Sequence, residues 1–350
     1  QVHKNVKIER LAAHFPLPIK YESRRRHLQR FLGLRSLSIP LLWFPIIQTI
    51  IEQTHNQNQR LYLAIDRTQW RQQNLFVIAL IYKKRSLPIY WQFLDKKGAS
   101  NFREQQALLK PVLKLLKSYQ LIILGDREFH SVQLANWLDK QNLGFVLRQK
   151  KGQNMQASGQ KQKPLSSLQV QPGDSQFFQK VTMGKQGFGQ FCLAVKWKRK
   201  YRNKVEPEPW YLLTNLPDYS SAIAAYRKRM GIEAMFKDCK TGGYHLEGSK
   251  ASVPRLTSLV LLIAIAYTFS TLKGQSILTK GQKEYINRLR KVNQIVTKNS
   301  KFWLGLYGSL WIPSQTFVKD WVQRLMKLNR NKLPFYQKGL RAMELMQQGI

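Results

Sequence analysis

The sequence predicts a mixed α/β fold, with one sheet flanked by helices, a β-rich insertion, and helical regions at both ends. Three observations carry this. Short β-rich runs alternate with helical spacing between residues 61 and 149. Further strand-like runs follow without an intervening helix up to residue 216, and a long helix then leads into a helical remainder.

Residues 1–58 read as helical and basic. Arg24, Arg25 and Arg26 stand together and the apolar run 39–51 follows. This suits either a small unit gripping a DNA backbone or a brace against the main domain. Residues 61–65 form a short apolar strand ending in Asp66. Residues 74–82 and 87–93, joined by the charged turn 83–86, read as a hairpin. Helical spacing over 104–119 rests on Leu108, Leu109, Val112, Leu115 and Leu116. A compact strand at 121–124 ends in Gly125 and Asp126, then comes a helix over 131–139 with Ser131 as cap, and a strand at 144–147. The Gln-, Lys-, Gly- and Ser-rich stretch 150–172 reads as a mobile loop. Strands are expected at 177–183, 190–198 and 210–216, then one helix over about 220–237 capped by Asp218 or Ser220.

Composition narrows the partners. Lys and Arg number 58 against 19 Asp and Glu, a net charge of +39 with a pI near 10.4. The excess is spread along the whole chain, which favours a long track of DNA, whose counterions are released as phosphates are neutralised, over a membrane surface or an acidic protein. A hydrophobic share of 43% supports a folded core. Two cysteines, Cys192 and Cys239, argue against a disulfide framework and for a reducing compartment. With no signal peptide at the start, the expected location is cytoplasmic, beside the nucleoid. The apolar run 256–272 contains Thr257, Ser258, Thr268 and Ser270 and stands alone, so a buried helix is expected and no membrane span.

Two carboxylates, Asp66 and Asp126, each follow an apolar strand. Carboxylates at the carboxyl ends of neighbouring strands converge where open α/β sheets bind ligands, although a lone strand-end Asp also serves as a turn residue or cap. At about 100° per residue, Tyr226, Arg229, Glu233 and Lys240 share one helix face if the helix continues that far. An ordinary Arg229–Glu233 surface pair satisfies the same spacing. In-line cleavage of a phosphodiester uses two divalent ions about 4 Å apart, and magnesium or manganese takes hard oxygen ligands. Arg229 and Lys240 could hold the scissile strand, and Tyr226 could bond a phosphate or pack on a sugar.

At these residues the chain resembles the DDE transposases with an RNase H-like catalytic fold, in particular insertion-sequence family four. That group's signature is Tyr, two residues, Arg, three residues, Glu, six residues, Lys, and Tyr226, Arg229, Glu233 and Lys240 meet every spacing. Asp66 opens Asp66-Arg67-Thr68-Gln69-Trp70, and Asp126 lies in Gly125-Asp126-Arg127-Glu128-Phe129. The resemblance covers about residues 60–270. It implies Asp66, Asp126 and Glu233 as catalytic residues holding two Mg2+ ions, with Mn2+ able to substitute. It also implies DNA contacts from Tyr226, Arg229 and Lys240, and a homodimer acting on terminal inverted repeats and target DNA.

The corresponding division is a helical DNA-binding region at 1–58, an RNase H-like catalytic domain at 59–149 and 216–273, an inserted β-rich subdomain at 150–215, and a basic helical region at 274–350. Trp197 and Trp210 in the insertion suit either stacking on an unpaired base or core packing. Arg127 and Glu128 suit either an outer shell around Asp126 or a surface pair. His130 reads as a surface residue, and Cys239 and His245 lack the partners of a zinc site. Two rival functions share these features: a structure-selective nuclease of the same fold, and a domesticated DNA-binding protein, against which the intact triad speaks.

Overall fold

The computed structural model describes residues 4–56, 59–184, 186–199, 206–287, 299–315, 319–321, 324, 327 and 330–348. The chain divides into two compact units, residues 35–236 and residues 1–34 with 237–350. Helices α1 (Ile8–Ala13) and α2 (Tyr21–Phe31) begin the second of these.

The central unit opens with a π-helical turn, Ile39–Trp43, running into α3 (Phe44–Thr54). Strands β1 (Arg60–Trp70), β2 (Gln73–Tyr82) and β3 (Arg85–Phe93) follow as an antiparallel meander. Trp43, Ile47 and Ile51 are fully buried, and the Trp43 indole donates to the Pro88 carbonyl of β3 at 3.0 Å. The apolar run 39–51 therefore braces the meander. Helix α4 (Phe102–Leu115) starts at a reciprocal cap: Asn101 Oδ1 accepts from the Glu104 amide and Glu104 accepts from the Asn101 amide. It buries Leu108, Leu109 and Val112. Then come β4 (Gln120–Gly125), α5 (Val132–Lys140) capped by Ser131, and β5 (Gly144–Arg148). Strands β1, β4 and β5 run parallel.

The polar stretch after β5 is ordered, contrary to the mobile loop expected over 150–172. It contains β6 (Asn154–Gln156), β7 (Lys163–Pro164) and a 3-10 turn, Leu165–Ser167. Met155 and Leu165, isolated apolar residues within it, are fully buried and pin it down. Strands β8 (Ser175–Met183), β9 (Phe188–Lys196) and β10 (Trp210–Thr214) complete one sheet in the order β3-β2-β1-β4-β5-β10-β9-β8-β6-β7. Because β10 pairs antiparallel with β5, at Leu213 and Leu147, the β-rich stretch prolongs the main sheet. The mixed α/β, RNase H-like class expected from the sequence is the class observed.

Two expectations need correction. Asp66 is not at the end of β1. Antiparallel pairing with β2 carries the strand on to Trp70, opposite Gln73, and Arg71 closes the turn with φ 51°. What stops at Asp66 is the parallel ladder to β4, whose last pair is Ile65 with Gly125. Nor is 220–237 one helix. It is α6 (Tyr219–Lys228), capped by Asp218, and α7 (Met230–Cys239), with Arg229 at the break. There the Arg229 amide bonds the Tyr226 carbonyl and the Ile232 amide bonds the Arg229 carbonyl, both at 3.0 Å, so the chain tightens to three-residue turns. A Cβ on Gly231 would lie 2.8 Å from Ser86 Oγ and 3.0 Å from the Arg85 carbonyl oxygen. The start of α7 is thus seated against the β2–β3 turn, which a straight continuation of α6 does not require.

In the terminal unit, α8 (Val253–Thr279) precedes α9 (Lys301–Trp311) and α10 (Leu333–Gln347). Helix α8 is long and apolar enough to cross a membrane, but 61% of its most apolar window is buried inside the protein. It crosses α9 at backbone contact: a Cβ on Gly274 would lie 1.7 Å from the Lys301 carbonyl oxygen, and one on Gly305 1.7 Å from that of Ser270. Tyr244, Tyr267 and Phe302 pack together beside the crossing.

Candidate active site

The register of the parallel strands builds the site. With Ile65 opposite Gly125, the next residues on the two adjacent strands are Asp66 and Asp126. Gly125 lets the chain turn immediately, since a Cβ there would lie 2.8 Å from Phe129 Cβ and 2.9 Å from Leu147 Cδ2. The following 3-10 turn, Arg127–Phe129, tucks Phe129 into the core, stacked on Phe76 with centroids 5.6 Å apart. Asp126 caps that turn, its Oδ1 accepting from the Glu128 amide at 2.9 Å. The second oxygen remains for other work. On Asp66, Oδ1 accepts from the Arg67 amide at 2.7 Å and Oδ2 accepts from Arg229 Nη1 at 2.9 Å.

Arg229 joins two of the three carboxylates. Its side chain is only 9% exposed, and its Nη2 donates to Glu233 Oε1. The Tyr226 ring lies 5.9 Å from the guanidinium carbon, and Trp210 meets Tyr226 edge-on at 5.0 Å. Tyr226, Arg229 and Glu233 are therefore brought to Asp66. Lys240 lies beyond the end of α7 and in the other compact unit, where it pairs with Glu247 at 2.6 Å. The single helix face expected for all four residues is lost at the break.

The residues beside each Asp are clasped together. Arg67 Nε lies 3.0 Å from both oxygens of Glu128, Nη2 lies 3.0 Å from Oε2, and both side chains are largely buried. Ser100 donates its amide and hydroxyl to Glu128 Oε1, each at 3.0 Å, while Arg67 Nη1 donates to Asn74 Oδ1 at 2.9 Å. Such a charge-assisted, forked pair fixes orientation as well as adding energy. Arg67 follows Asp66 and Glu128 lies two residues past Asp126, so the clasp sets the two carboxylates relative to each other. Glu128 is paired with Arg67 and its amide reaches Asp126, while Arg127 pairs with Glu208. The clasp itself was not anticipated, because its partners are far apart in the chain.

Electrostatics follow from burial and crowding. Burial pushes the Asp66 carboxyl up to about 6. Arg229 opposes that shift, and the Asp126 and Glu233 charges reinforce it. Burial also works against the Glu128 carboxylate, but the Arg67 guanidinium and Ser100 outweigh it and hold the group below its ordinary value. Burial raises the Tyr226 phenol. For Arg229, burial is outweighed by Asp66, Tyr226 and Glu233, which keep the guanidinium charged.

A pH dependence results. An acid whose folded pKa is raised stabilises the fold fully below its unfolded pKa, and that contribution is lost as pH rises through the folded value. From pH 4 to pH 7.5 the metal-free wild type is expected to lose roughly 2–3 kcal/mol relative to Asp66→Asn, the window set by the Asp66 value of about 6. Urea unfolding of both proteins across this range measures it, and a difference that stays flat with pH would contradict the assignment.

Among the described residues, no group of three or more His, Cys, Asp or Glu side chains stands close enough together to hold a metal ion. The Arg229 guanidinium joins Asp66 to Glu233 instead. In chemistry the donors fit a hard divalent cation: Asp66 and Asp126 offer carboxylate oxygens side by side, and a cation would relieve their mutual repulsion. Glu233 offers a further carboxylate, bonded to Arg229 and with its side chain 47% exposed.

The remaining candidates are placed as follows. Trp197 donates its indole N–H to the Glu206 carbonyl at 2.9 Å, and Trp210 packs between Tyr226 and Lys198. His130 Nδ1 donates to the Arg127 carbonyl at 2.9 Å, and burial with nearby Lys150 lowers its pKa.

No curated protein matches the chain in sequence. Among solved structures, a piggyBac transposase synaptic complex with hairpin DNA is similar over 98% of this chain and 73% of that one, with 16% identity and a TM-score of 0.41. An Argonaute from Marinitoga piezophila, in complex with 5′ OH guide RNA and target DNA, is similar over 61% of this chain and 30% of its own, with 10% identity and a TM-score of 0.24. The family described as "Transposase DDE domain" matches residues 64–269, more than half of the chain, from β1 to within α8. The protein belongs to the DDE-domain transposases.

Proposed function

We propose that this transposase cuts DNA at the ends of an insertion sequence and joins the freed 3′ ends to target DNA, with Asp66, Asp126 and Glu233 as its catalytic residues. One observation carries the reading: the parallel register sets Asp66 beside Asp126, with Arg229 reaching from Glu233 to Asp66, inside the stretch matched by the DDE domain. The Tyr226, Arg229, Glu233 and Lys240 spacing supports the more specific assignment to insertion-sequence family four.

In the first reaction a water oxygen attacks the phosphorus at the element's end and the 3′ oxygen leaves as a hydroxyl. That hydroxyl then attacks a second phosphodiester, so no covalent enzyme intermediate is needed. Divalent metal is general in the family, and two bound Mg2+ ions, replaceable by Mn2+, would activate the attacking oxygen and offset charge on the leaving one. Asp66 and Asp126 would hold them, joined by Glu233. With Glu233 holding metal, Arg229 would be released from it to bind the scissile phosphate. The Arg229 Nε is buried with no acceptor among the described residues, so a further donor is in place for that phosphate. Tyr226 packs against the guanidinium and orients it. Lys240 would contact the flanking strand, and Trp210 and Trp197 would stack on a base freed at the cut end. The partners are the terminal inverted repeats and target DNA, bound by a homodimer in the cytoplasm beside the nucleoid.

The test is nicking of supercoiled plasmid with Mg2+, with and without the element's ends. Cleavage confined to the end-carrying plasmid supports transposition. Equal cleavage of both plasmids would make the protein a nuclease of the same fold, and binding with no cleavage would make it a DNA-binding relative.

A further inference from the structure

Across the carboxyl ends of the parallel strands, charge changes sign. Asp66 and Asp126 follow the last parallel pair of β1 and β4, and one strand over, β5 ends in Arg148 with Lys150 and Lys151 just beyond. Gly125 pairs with Leu147, so Asp126 and Arg148 stand level on neighbouring strands. Beside them is a cavity of about 310 Å³ lined by Arg127, Lys150, Lys151 and Glu208. Adjacent strands are spaced about 4.8 Å, so the backbone of Arg148 stands one strand away from that of Asp126.

Glu208 is the acid among those lining residues, and it is already engaged. Its Oε1 accepts from Arg127 Nη1 and, at 3.3 Å, from Arg148 Nη2. Its side chain is only 20% exposed. No carboxylate pairs with Lys150 or Lys151 among the described residues, and Arg148 Nε is buried with no acceptor there. Two guanidinium groups converging on one oxygen, with two unpaired lysines behind, form the arrangement that binds a phosphate.

We propose that this pocket binds a backbone phosphate of DNA next to the one being cut, and that Glu208 occupies its arginines as a stand-in anion until DNA displaces it. The inference rests on DNA being the substrate, as proposed above. It assigns Arg127, Arg148, Lys150 and Lys151 to strand binding and makes Glu208 a brake on binding.

The experiment is fluorescence anisotropy of a labelled duplex carrying the element's end, titrated with the full chain over a range of NaCl in EDTA. Each phosphate contact contributes about 0.9 to the slope of log K against log salt. Glu208→Gln is expected to tighten binding about three- to tenfold and steepen the slope by roughly one, as the arginines are released to DNA. Arg127→Ala combined with Lys150→Ala should flatten it by about one to two. Lys117→Ala, just before the opposite end of β4, serves as the control and should change neither.

If Glu208→Gln lowers the melting temperature, the Arg127→Ala with Lys150→Ala protein decides alone. Unchanged slopes in both variants, or a Lys117→Ala change as large, would overturn the proposal. Displacement of the duplex by millimolar inorganic phosphate at matched ionic strength would also overturn it, by making the pocket a free-phosphate site. Because EDTA removes cleavage from the measurement, a chain that cuts DNA with unchanged slopes refutes only the pocket. A chain that shows the slope changes but never cuts refutes only the catalytic reading.

Discussion

Arg229→Met is expected to cost the metal-free protein roughly 2 kcal/mol of unfolding free energy at pH 7.5, the limit set by an Asp66 value of about 6, and to lose most of that penalty below pH 5. The guanidinium is buried and bonded to Asp66 and Glu233. Removing it leaves Asp66 largely buried beside Asp126 without its cation, so the carboxyl must stay ionised uncompensated or take up a proton, and either is costly in a way that a lost surface pair is not. Glu233 contributes little to the penalty because water reaches nearly half of its side chain. The sign of the pH dependence follows from Asp66. Its pKa, already pushed up to about 6, rises further without Arg229, so protonation relieves the variant as pH falls through that higher value. Urea unfolding at pH 7.5 and pH 5 measures both terms. A penalty equal at the two values would mean that Arg229 matters for packing and not for charge.

The second large effect lies in the terminal unit. Gly305→Ala is expected to cost about 3 kcal/mol and lower the melting temperature by roughly 6–12 °C. The new methyl group would meet the Ser270 carbonyl oxygen at 1.7 Å, a rigid backbone atom, so α8 and α9 must part and loosen the contact of Phe302 with Tyr267. Gly274→Ala meets the Lys301 carbonyl at the same distance and should behave alike. Gly308→Ala is the internal comparison, because its nearest neighbour is the Cδ1 methyl of the Ile277 side chain at 2.6 Å and not a backbone atom, and it should cost clearly less. Calorimetry on the three variants checks the ranking, and three equal shifts would contradict the described crossing.

What the sequence made legible was whatever depends on local pattern. Asp66 and Asp126 stood out because apolar runs led into them, and the parallel ladder does set them side by side. The continuation of β1 to Trp70 was hidden because Arg67 and Gln69 are polar and only pairing with β2 keeps them in the strand. Just after the break at Arg229, Gly231 lies against Arg85 and Ser86 at the start of β3, a contact that no periodicity within 220–237 reveals. Lys240 was misplaced for the same reason, since its assigned face assumed an unbroken helix. The order of 150–172 depends on a few buried apolar residues, Met155, Leu165 and Leu168, in a polar stretch. The Arg67–Glu128 clasp and the hold of Glu208 on Arg127 join distant segments, so spacing cannot announce them.

The central claim is that three carboxylates and bound metal cut DNA at this site. The most direct measurement is the single-turnover cleavage rate of an end-carrying duplex with Mg2+. Wild type would be compared with Asp66→Asn, Asp126→Asn and Glu233→Gln, each shown to be folded, and with wild type in EDTA. The predicted result is loss of about a thousandfold or more in each variant and no cleavage in EDTA. Full activity in any one of the three variants, or cleavage that persists in EDTA, would contradict it.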